Sequence, residues 1–258
     1  MTDRERAAGS SAVLLDLDGT LCRLFAHTDL DPLRRSAAAL LRTRGWGDLC
    51  EGDVFTAPAR LTAASGHGVG AGPTRVPAPV RELAGRSGVV GPPRPVSGDA
   101  ALVEEIGALL TEVELRAADT APLVAGAEEV VTGWVTAGRP VAVVTNNCPA
   151  CVGRLARRCL PALAQVPVVG RDPRHPDWAK PDPGGVRQAL IRLGRVAPTE
   201  TRSAVMVGDS LSDLAAARAA GCRLIGMGST PTKRTRLEAA VSSGAVVTDF
   251  HELRMCLA

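Results

Sequence analysis

Short apolar runs that end abruptly in polar residues are the main pattern along this chain. Three of them cover residues 13–15, 141–144 and 204–208. Runs that are apolar on both faces are typical of parallel strands covered by helices. Two further runs, 222–226 and 245–247, predict a fourth strand and an edge strand. The pattern therefore predicts an α/β fold with a doubly wound parallel sheet.

Helical segments alternate with these strands. Helices are predicted over residues 127–137, from 148 toward 160, over 185–193 and over 214–220. Residues 230–236 are interpreted as a loop whose charges, Lys233, Arg234 and Arg236, are solvated. Contact of this loop with a phosphate or a substrate is the alternative.

The polar residues at the strand ends are candidates for a common site. Parallel sheets bind ligands at the carboxyl ends of their strands, which meet at one edge. Lys180 lies between two predicted strands in the sequence, and Pro181 and Pro183, which follow it, place it in a loop or at the start of a helix. The residues that directly follow the strands are Asp16, Asp18, Thr145, Asn146 and Asp209. We expect these groups to converge.

Two carboxylates two residues apart follow the first strand. The backbone turns at the strand end, so Asp16 and Asp18 can point into one pocket, and Gly19 permits a tight turn. One acid can then attack while the other handles protons. A calcium loop is the weaker interpretation, because His27 occupies the twelfth position, where an EF-hand needs a bidentate Glu.

Four motifs in order make a family resemblance. They are Asp16-x-Asp18-Gly19-Thr20, Thr145, Lys180-Pro181 and Gly208-Asp209-Ser210-x-x-Asp213. Their order and spacing resemble the haloacid dehalogenase-like superfamily, in its phosphatase branch, with a likeness to phosphoglycolate phosphatases. The resemblance implies a Rossmann-like core with an inserted, mainly helical cap of the family's first subclass.

The resemblance also implies roles for individual residues. Asp16 would be the nucleophile that forms an aspartyl phosphate, and Asp18 the general acid and base, with Thr145 and Lys180 completing the catalytic set. Asp213 would orient Lys180 or a water on the metal. Phosphate contacts are implied for Gly19, Thr145, Asn146 and Lys180, and a Mg²⁺ site for Asp16, the backbone carbonyl of Asp18, and Asp209.

These roles imply a Mg²⁺-dependent phosphomonoester hydrolase. The expected substrate is a small phosphorylated metabolite, such as a phosphoglycolate-like acid or a sugar phosphate. Asp18 argues against dehalogenation, because haloacid dehalogenases lack an acid at this place. A phosphomutase of the same superfamily and a non-catalytic binding or regulatory module on the same fold are the alternatives.

A long insertion separates the first strand from the rest of the core. We predict a catalytic core of residues 10–22 and 122–258 and a cap of residues 23–121, with helices over 31–44 and 99–117. Asp31 is expected to cap the first of these helices. From 66 to 98, 14 of 33 residues are Gly or Pro, which predicts a long loop with at most a short helix near 80–84.

Composition narrows the choice of partners. The net charge is +3, and basic and acidic residues are interspersed along the chain. This distribution suits an anionic small-molecule substrate but not nucleic-acid binding. Without an apolar run of ~20 residues, no membrane span is expected, and we expect a cytoplasmic monomer or homodimer. Seven cysteines fit reduced thiols. Cys148 and Cys151 are interpreted as small helix-start residues, with a redox pair as the alternative.

Overall fold

The computed structural model describes residues 11–64, 98–241 and 246–257. In these residues the chain forms a parallel six-stranded sheet of order β3-β2-β1-β4-β5-β6. The strands are β1 (Val13–Leu15), β2 (Val141–Val144), β3 (Val168–Val169), β4 (Val205–Gly208), β5 (Arg223–Met227) and β6 (Val246–Val247). The predicted parallel sheet is confirmed, with β1 at its centre and β6 at one edge.

Helices connect the strands. They are α1 (Asp31–Thr43), α2 (Ala57–Ala64), α3 (Gly98–Ala118), α4 (Ala127–Thr136), α5 (Pro149–Arg158), α6 (Gly184–Arg192), α7 (Pro198–Ser203), α8 (Leu211–Ala220), α9 (Pro231–Ala240) and α10 (Phe250–Cys256). Short 3₁₀ turns cover Gly47–Cys50, Val54–Thr56, Pro161–Gln165 and Pro176–Trp178. Within the described part of the chain, none of the helices combines the length and apolar character that a membrane crossing requires.

The sheet is covered on both faces, as a doubly wound fold requires. Successive side chains of a strand point to opposite faces. Val13 and Leu15 accordingly pack into one hydrophobic cluster, with α4, α5 and α10, while Leu14 packs into another, with α6 and α8. Leu14 lies opposite Ala142 on β2 and Met206 on β4. The α/β fold class predicted from the sequence is confirmed.

The described residues between β1 and β2 are mainly helical and include a separate hydrophobic cluster. Leu33 and Leu41 of α1 pack there with Leu61 of α2 and Ile106 of α3. At the other end of α3, Ala117 and Ala118 pack into the cluster that contains Val13 and Leu15. One continuous helix therefore joins the helical cap to the sheet. The cap boundaries, 23–121, stay a prediction.

Three local predictions were wrong. Leu30, not Asp31, occupies the N-cap position of α1, and the Asp31 carboxylate instead accepts a hydrogen bond from Arg34 at 2.9 Å. Residues 231–236 are helical rather than a loop, because the Thr230 hydroxyl caps α9 by accepting the N–H of Lys233. Gly98, the last residue of the predicted loop over 66–98, is instead the first residue of α3. The rest of that loop, its helix near 80–84 and residue 245 of the edge strand lie outside the described residues.

Candidate active site

Asp16 lies at the carboxyl end of the central strand. Its N–H donates to the carbonyl oxygen of Val207 at 2.9 Å, which continues the pairing of β1 with β4 and fixes where the side chain emerges. The carboxylate is buried, with 6% of the residue exposed. Burial raises the pKa of Asp16 to about 8, although the Lys180 ammonium opposes this shift.

Lys180 places a buried positive charge against Asp16. Its Nζ lies 2.5 Å from Oδ1 of Asp16, 2.5 Å from Oδ1 of Asp213 and 3.2 Å from the carbonyl oxygen of Val144. These three contacts use all three N–H donors of an ammonium group. Burial lowers the pKa of Lys180, but the two carboxylates offset burial and the net shift is upward. Lys180 is therefore a charged group at neutral pH.

The side-chain amide of Asn146 holds the backbone of Lys180. Asn146 Nδ2 donates to the carbonyl oxygen of Lys180 at 3.0 Å, and the N–H of Lys180 donates to Asn146 Oδ1 at 2.8 Å. The loop after β2 thereby positions a lysine that lies far along the chain. The resemblance implied a phosphate contact for Asn146, and its side chain is used here for positioning.

Thr145 and Asn147 make a small turn beside this contact. Thr145 Oγ1 donates to Asn147 Oδ1 at 3.0 Å and accepts the N–H of Asn147 at 3.1 Å. Both residues are buried. The Thr145 hydroxyl thus lies at the end of β2, beside the strand that carries Asp16.

Asp213 links the lysine to the start of α8. Ser210 is the N-cap of this helix, and its N–H and hydroxyl both donate to Asp213 Oδ2, at 3.0 and 2.6 Å. This capping box leaves Asp213 Oδ1 to accept from Lys180. Gly208 provides the space, because a Cβ there would lie 2.6 Å from Asp213 Oδ2. Helix capping and lysine positioning are both functions of this carboxylate.

Asp18 and Gly19 form the turn after β1. Asp18 Oδ1 accepts the N–H of Leu24 at 2.8 Å, and burial raises the pKa of Asp18 to about 6. Gly19 has φ = +83°, and a Cβ there would overlap the Asp209 carboxylate. The Gly19 N–H donates to the carbonyl oxygen of Cys22 at 2.7 Å. Gly19 therefore contributes space for Asp209.

Asp209 and Lys233 form an ion pair at the same edge. Asp209 directly follows β4, and its Oδ2 accepts from Nζ of Lys233 on α9. Burial raises the pKa of Asp209, while the hydrogen bond from Lys233 opposes the shift. The interpretation of Lys233 as a solvated loop charge was wrong, since its ammonium is held by a carboxylate of the site.

The donor set of the site fits a divalent cation. Carboxylate oxygens of Asp16, Asp209 and Asp213 all lie within 4.8 Å of one another. Carboxylates are the ligands that Mg²⁺ and other hard cations prefer. Both oxygens of Asp213 already accept from Lys180 and Ser210, so Asp16 and Asp209 are the better placed ligands.

Comparison with known proteins assigns the family. A family model described as haloacid dehalogenase-like hydrolase matches residues 11–221, which is more than half of the chain. The chain belongs to this hydrolase family. The predicted family membership is confirmed, and hydrolases of this family generally use a divalent metal. No curated protein matches the sequence of this hydrolase.

Solved structures share the fold of this haloacid dehalogenase-like hydrolase. CbbY from Rhodobacter sphaeroides in complex with xylulose-(1,5)bisphosphate is 22% identical, with coverage of 95% of this chain and 96% of that chain and a TM-score of 0.55. A HAD family hydrolase from Deinococcus radiodurans with bound phosphate and sodium is 23% identical, with coverage of 97% and 96% and a TM-score of 0.53.

The structure brings the predicted site residues of the hydrolase to one edge of the sheet. Asp16, Asp18 and Gly19 follow β1, Thr145 and Asn146 follow β2, Asp209 follows β4, and Asp213 and Lys180 meet between them. The roles of these residues stay predictions.

Sequence reasoning missed a second buried charge cluster next to this site. Glu114 of α3 is fully buried, and its two carboxylate oxygens accept from the Arg171 guanidinium at 2.7 and 2.8 Å. They also accept from Asn147 Nδ2 at 3.1 Å and from the N–H of Cys148 at 2.9 Å. Glu114 lies four residues after the buried Leu110, and an acid on the apolar face of a helix is the signal that could have revealed it.

Proposed function

We propose that this hydrolase is a Mg²⁺-dependent phosphatase of small phosphorylated metabolites. The observation that supports this most is the position of the Lys180 ammonium, 2.5 Å from Asp16, with the Asp18 carboxyl group on the same turn. A nucleophilic carboxylate, a proton donor and a buried cation are the groups that phosphoester cleavage through a covalent intermediate requires. All of them come from the edge of the sheet at which such folds bind ligands.

Asp16 is the nucleophile in this proposal. Its carboxylate attacks phosphorus, an aspartyl phosphate forms, and the bond from phosphorus to the alkoxide oxygen breaks. Lys180 holds Oδ1, so we assign the attack to Oδ2. The ammonium charge favours the ionised form of Asp16 and so opposes the effect of burial, which raises the pKa of this carboxyl group to about 8.

Asp18 is the proton carrier. It protonates the departing alkoxide and then accepts a proton from the water that hydrolyses the aspartyl phosphate. A pKa of about 6 keeps both protonation states accessible near neutral pH. Because the Leu24 N–H occupies Oδ1, we place the transferred proton on Oδ2.

The metal site that we propose comprises Asp16, the backbone carbonyl of Asp18, and Asp209. A bound Mg²⁺ offsets the repulsion between these carboxylates and the phosphate group. The Thr145 hydroxyl turns from Asn147 Oδ1 to donate a hydrogen bond to a phosphate oxygen, and Lys180 supplies positive charge. Asn146 holds the backbone of Lys180, and Asp213 holds its ammonium group.

The substrate class is supported by what similar structures contain. CbbY was crystallised with a sugar bisphosphate, and the Deinococcus radiodurans hydrolase with phosphate. We therefore propose a sugar phosphate or a phosphoglycolate-like acid as the substrate. The helical cap is proposed to close over it and exclude water.

Phosphate release from a panel of phosphorylated metabolites tests the proposal. We expect release with Mg²⁺, none with EDTA, and a loss on the order of 10⁴-fold in Asp16→Asn, because the amide cannot attack. Asp31→Asn, which changes an exposed carboxylate of α1, is the matched control and should keep full activity. Unchanged turnover in Asp16→Asn, or release that EDTA leaves unaffected, would overturn the assignment.

A further inference from the structure

Cys148 and Cys151 lie together at the start of α5 and have no part in the proposed hydrolysis. Cys148 is the N-cap residue, with extended backbone, and Cys151 lies in the first turn. Their Sγ atoms are 3.1 Å apart, and both thiols are free. Two sulfur atoms at this separation, three residues apart, are placed for reaction with each other.

We propose that Cys148 and Cys151 form a reversible disulfide site. The S–S distance of a disulfide is about 2.05 Å, so the two sulfur atoms need to approach by only about 1 Å. Small rotations of the two side chains supply a movement of this size while α5 stays in place.

A cavity gives one of the two sulfurs access to small molecules. It has a volume of about 570 Å³ and lies between α3 and the segment after β3. Cys148 lines it, together with Gly107, Thr111 and Arg171, whereas Cys151 does not. Cys148 is 6% exposed and lines the cavity, whereas Cys151 is fully buried, so Cys148 is the sulfur that meets an incoming disulfide, and Cys151 resolves the product.

The local environment favours this order of reaction. The hydrogen bond between the two thiols lowers the pKa of Cys148, although burial and the Glu114 carboxylate oppose the shift. The same hydrogen bond raises the pKa of Cys151. A thiolate at a helix N-terminus is also stabilised by the backbone N–H groups of the first turn.

The oxidant is a low-molecular-weight disulfide, RSSR. The Cys148 thiol loses its proton, and its Sγ attacks one sulfur, so a mixed disulfide forms and one thiolate leaves. The Cys151 thiol then loses its proton, its Sγ attacks Cys148 Sγ, and the second thiolate leaves. The two released protons complete two RSH molecules. The protein gives up two electrons, and RSSR is reduced by two.

Glutathione buffers test the proposal on the intact, folded chain. The Cys256→Ser protein, which lacks the exposed thiol of α10, is equilibrated with reduced and oxidised glutathione, acid-quenched, alkylated and digested. We expect a peptide in which Cys148 and Cys151 are linked, with loss of two hydrogens, and reversal by dithiothreitol. Two alkylated cysteines at every glutathione ratio would refute the site.

The concentration dependence separates an internal disulfide from a glutathione adduct. An internal disulfide releases two glutathione molecules, so tenfold dilution of the buffer at a fixed ratio of its components raises the oxidised-to-reduced ratio about tenfold. Formation of a mixed disulfide releases one glutathione molecule, so the ratio of modified to unmodified protein does not change on dilution. A ratio that is independent of dilution therefore counts against the proposal.

Single substitutions test the order of attack. Cys151→Ser should stop at one glutathione on Cys148, and Cys148→Ser should leave Cys151 unmodified. Cys222→Ser changes another buried cysteine, on the opposite face of the sheet, and should oxidise as the Cys256→Ser protein does. An adduct at Cys151 in Cys148→Ser would overturn the assigned order. The linked peptide is also expected from the wild-type protein, and none of these readouts depends on phosphatase activity.

Discussion

Lys233 pairs with Asp209, although the two residues come from different crossovers of the sheet. The Lys233 ammonium is also close to the turn at Gly19, since a Cβ there would lie 2.7 Å from its Nζ. A lysine therefore occupies the side of Asp209 that faces the Asp18 turn. A cation bound between Asp209 and this turn competes with the ammonium group for the same carboxylate.

We expect Lys233→Met to strengthen Mg²⁺ binding. Removal of a positive charge next to a proposed ligand leaves Asp209 unpaired and should lower the dissociation constant for Mg²⁺ by roughly tenfold. Isothermal titration of the metal-free protein with Mg²⁺ measures the change. Arg236→Met removes an exposed positive charge from the same helix and serves as the control. Weaker binding in Lys233→Met would mean that Lys233 assists the metal.

The metal-free protein should lose stability as the pH rises. The folded-state pKa of Asp18 is raised to about 6, and that of Asp16 to about 8, from an ordinary value of 3.8. A raised pKa stabilises the fold fully below pH 3.8, and this contribution is lost as the pH passes the folded value. For Asp18 the loss is about 3 kcal/mol of unfolding free energy.

Asp18→Asn isolates this contribution, because asparagine still offers an oxygen to the Leu24 N–H. Denaturant unfolding in EDTA at pH 4 and pH 8 gives the two free energies for each protein. The wild type should lose more than the variant over this interval, and Mg²⁺ should restore most of the difference at pH 8. Parallel losses in the two proteins would show that the pKa of Asp18 is not raised.

Gly208→Ala should reduce turnover. The added Cβ would meet the carboxylate group of Asp213 and push it away from Lys180. We expect kcat for the best substrate to fall about 10- to 100-fold, with a smaller change in KM, because a positioning contact is lost. Gly133→Ala on α4 is the matched control, since a Cβ there meets no atom within 4 Å and helix propensity favours alanine. A kcat equal to that of the control would mean that the site tolerates a displaced Asp213.

Glu114→Gln should destabilise the fold. The amide leaves the Arg171 guanidinium without its anion in a site where Glu114 is fully buried, and about 3 kcal/mol of unfolding free energy is expected to be lost. Thermal and urea unfolding measure the loss. Glu112→Gln breaks the exposed pair with Arg116 on the same helix and should change stability by less than about 1 kcal/mol.

A double substitution tests the electrostatic cause. Arg171→Met in the Glu114→Gln protein removes the unpaired charge, so part of the lost stability should return. Additive losses in the double variant would instead attribute the effect of Glu114 to its contacts with Asn147 and Cys148.

The strands and the edge of the sheet at which the site lies could be predicted from the sequence. Apolar runs such as 141–144 and 205–208 are buried on both faces, and their polar ends meet because the strands are parallel. The sheet order was not accessible in this way. Lys233 follows β5, and only the pairing of β5 with β4 brings it to Asp209. The position of Glu114 on the apolar face of α3 was a local signal, but its pairing with Arg171 leaves none, because it joins α3 to the segment after the two-residue strand β3.

The side-chain amide of Asn146 forms hydrogen bonds with both the N–H and the carbonyl oxygen of Lys180. The lysine is consequently anchored to the strand that ends at Val144 rather than to the chain that leads up to it. We therefore expect changes in the preceding segment, residues 172–179, to leave the ammonium at Asp16. For protein engineering, residues 172–179 are therefore a place to graft new recognition loops beside an unaltered candidate active site.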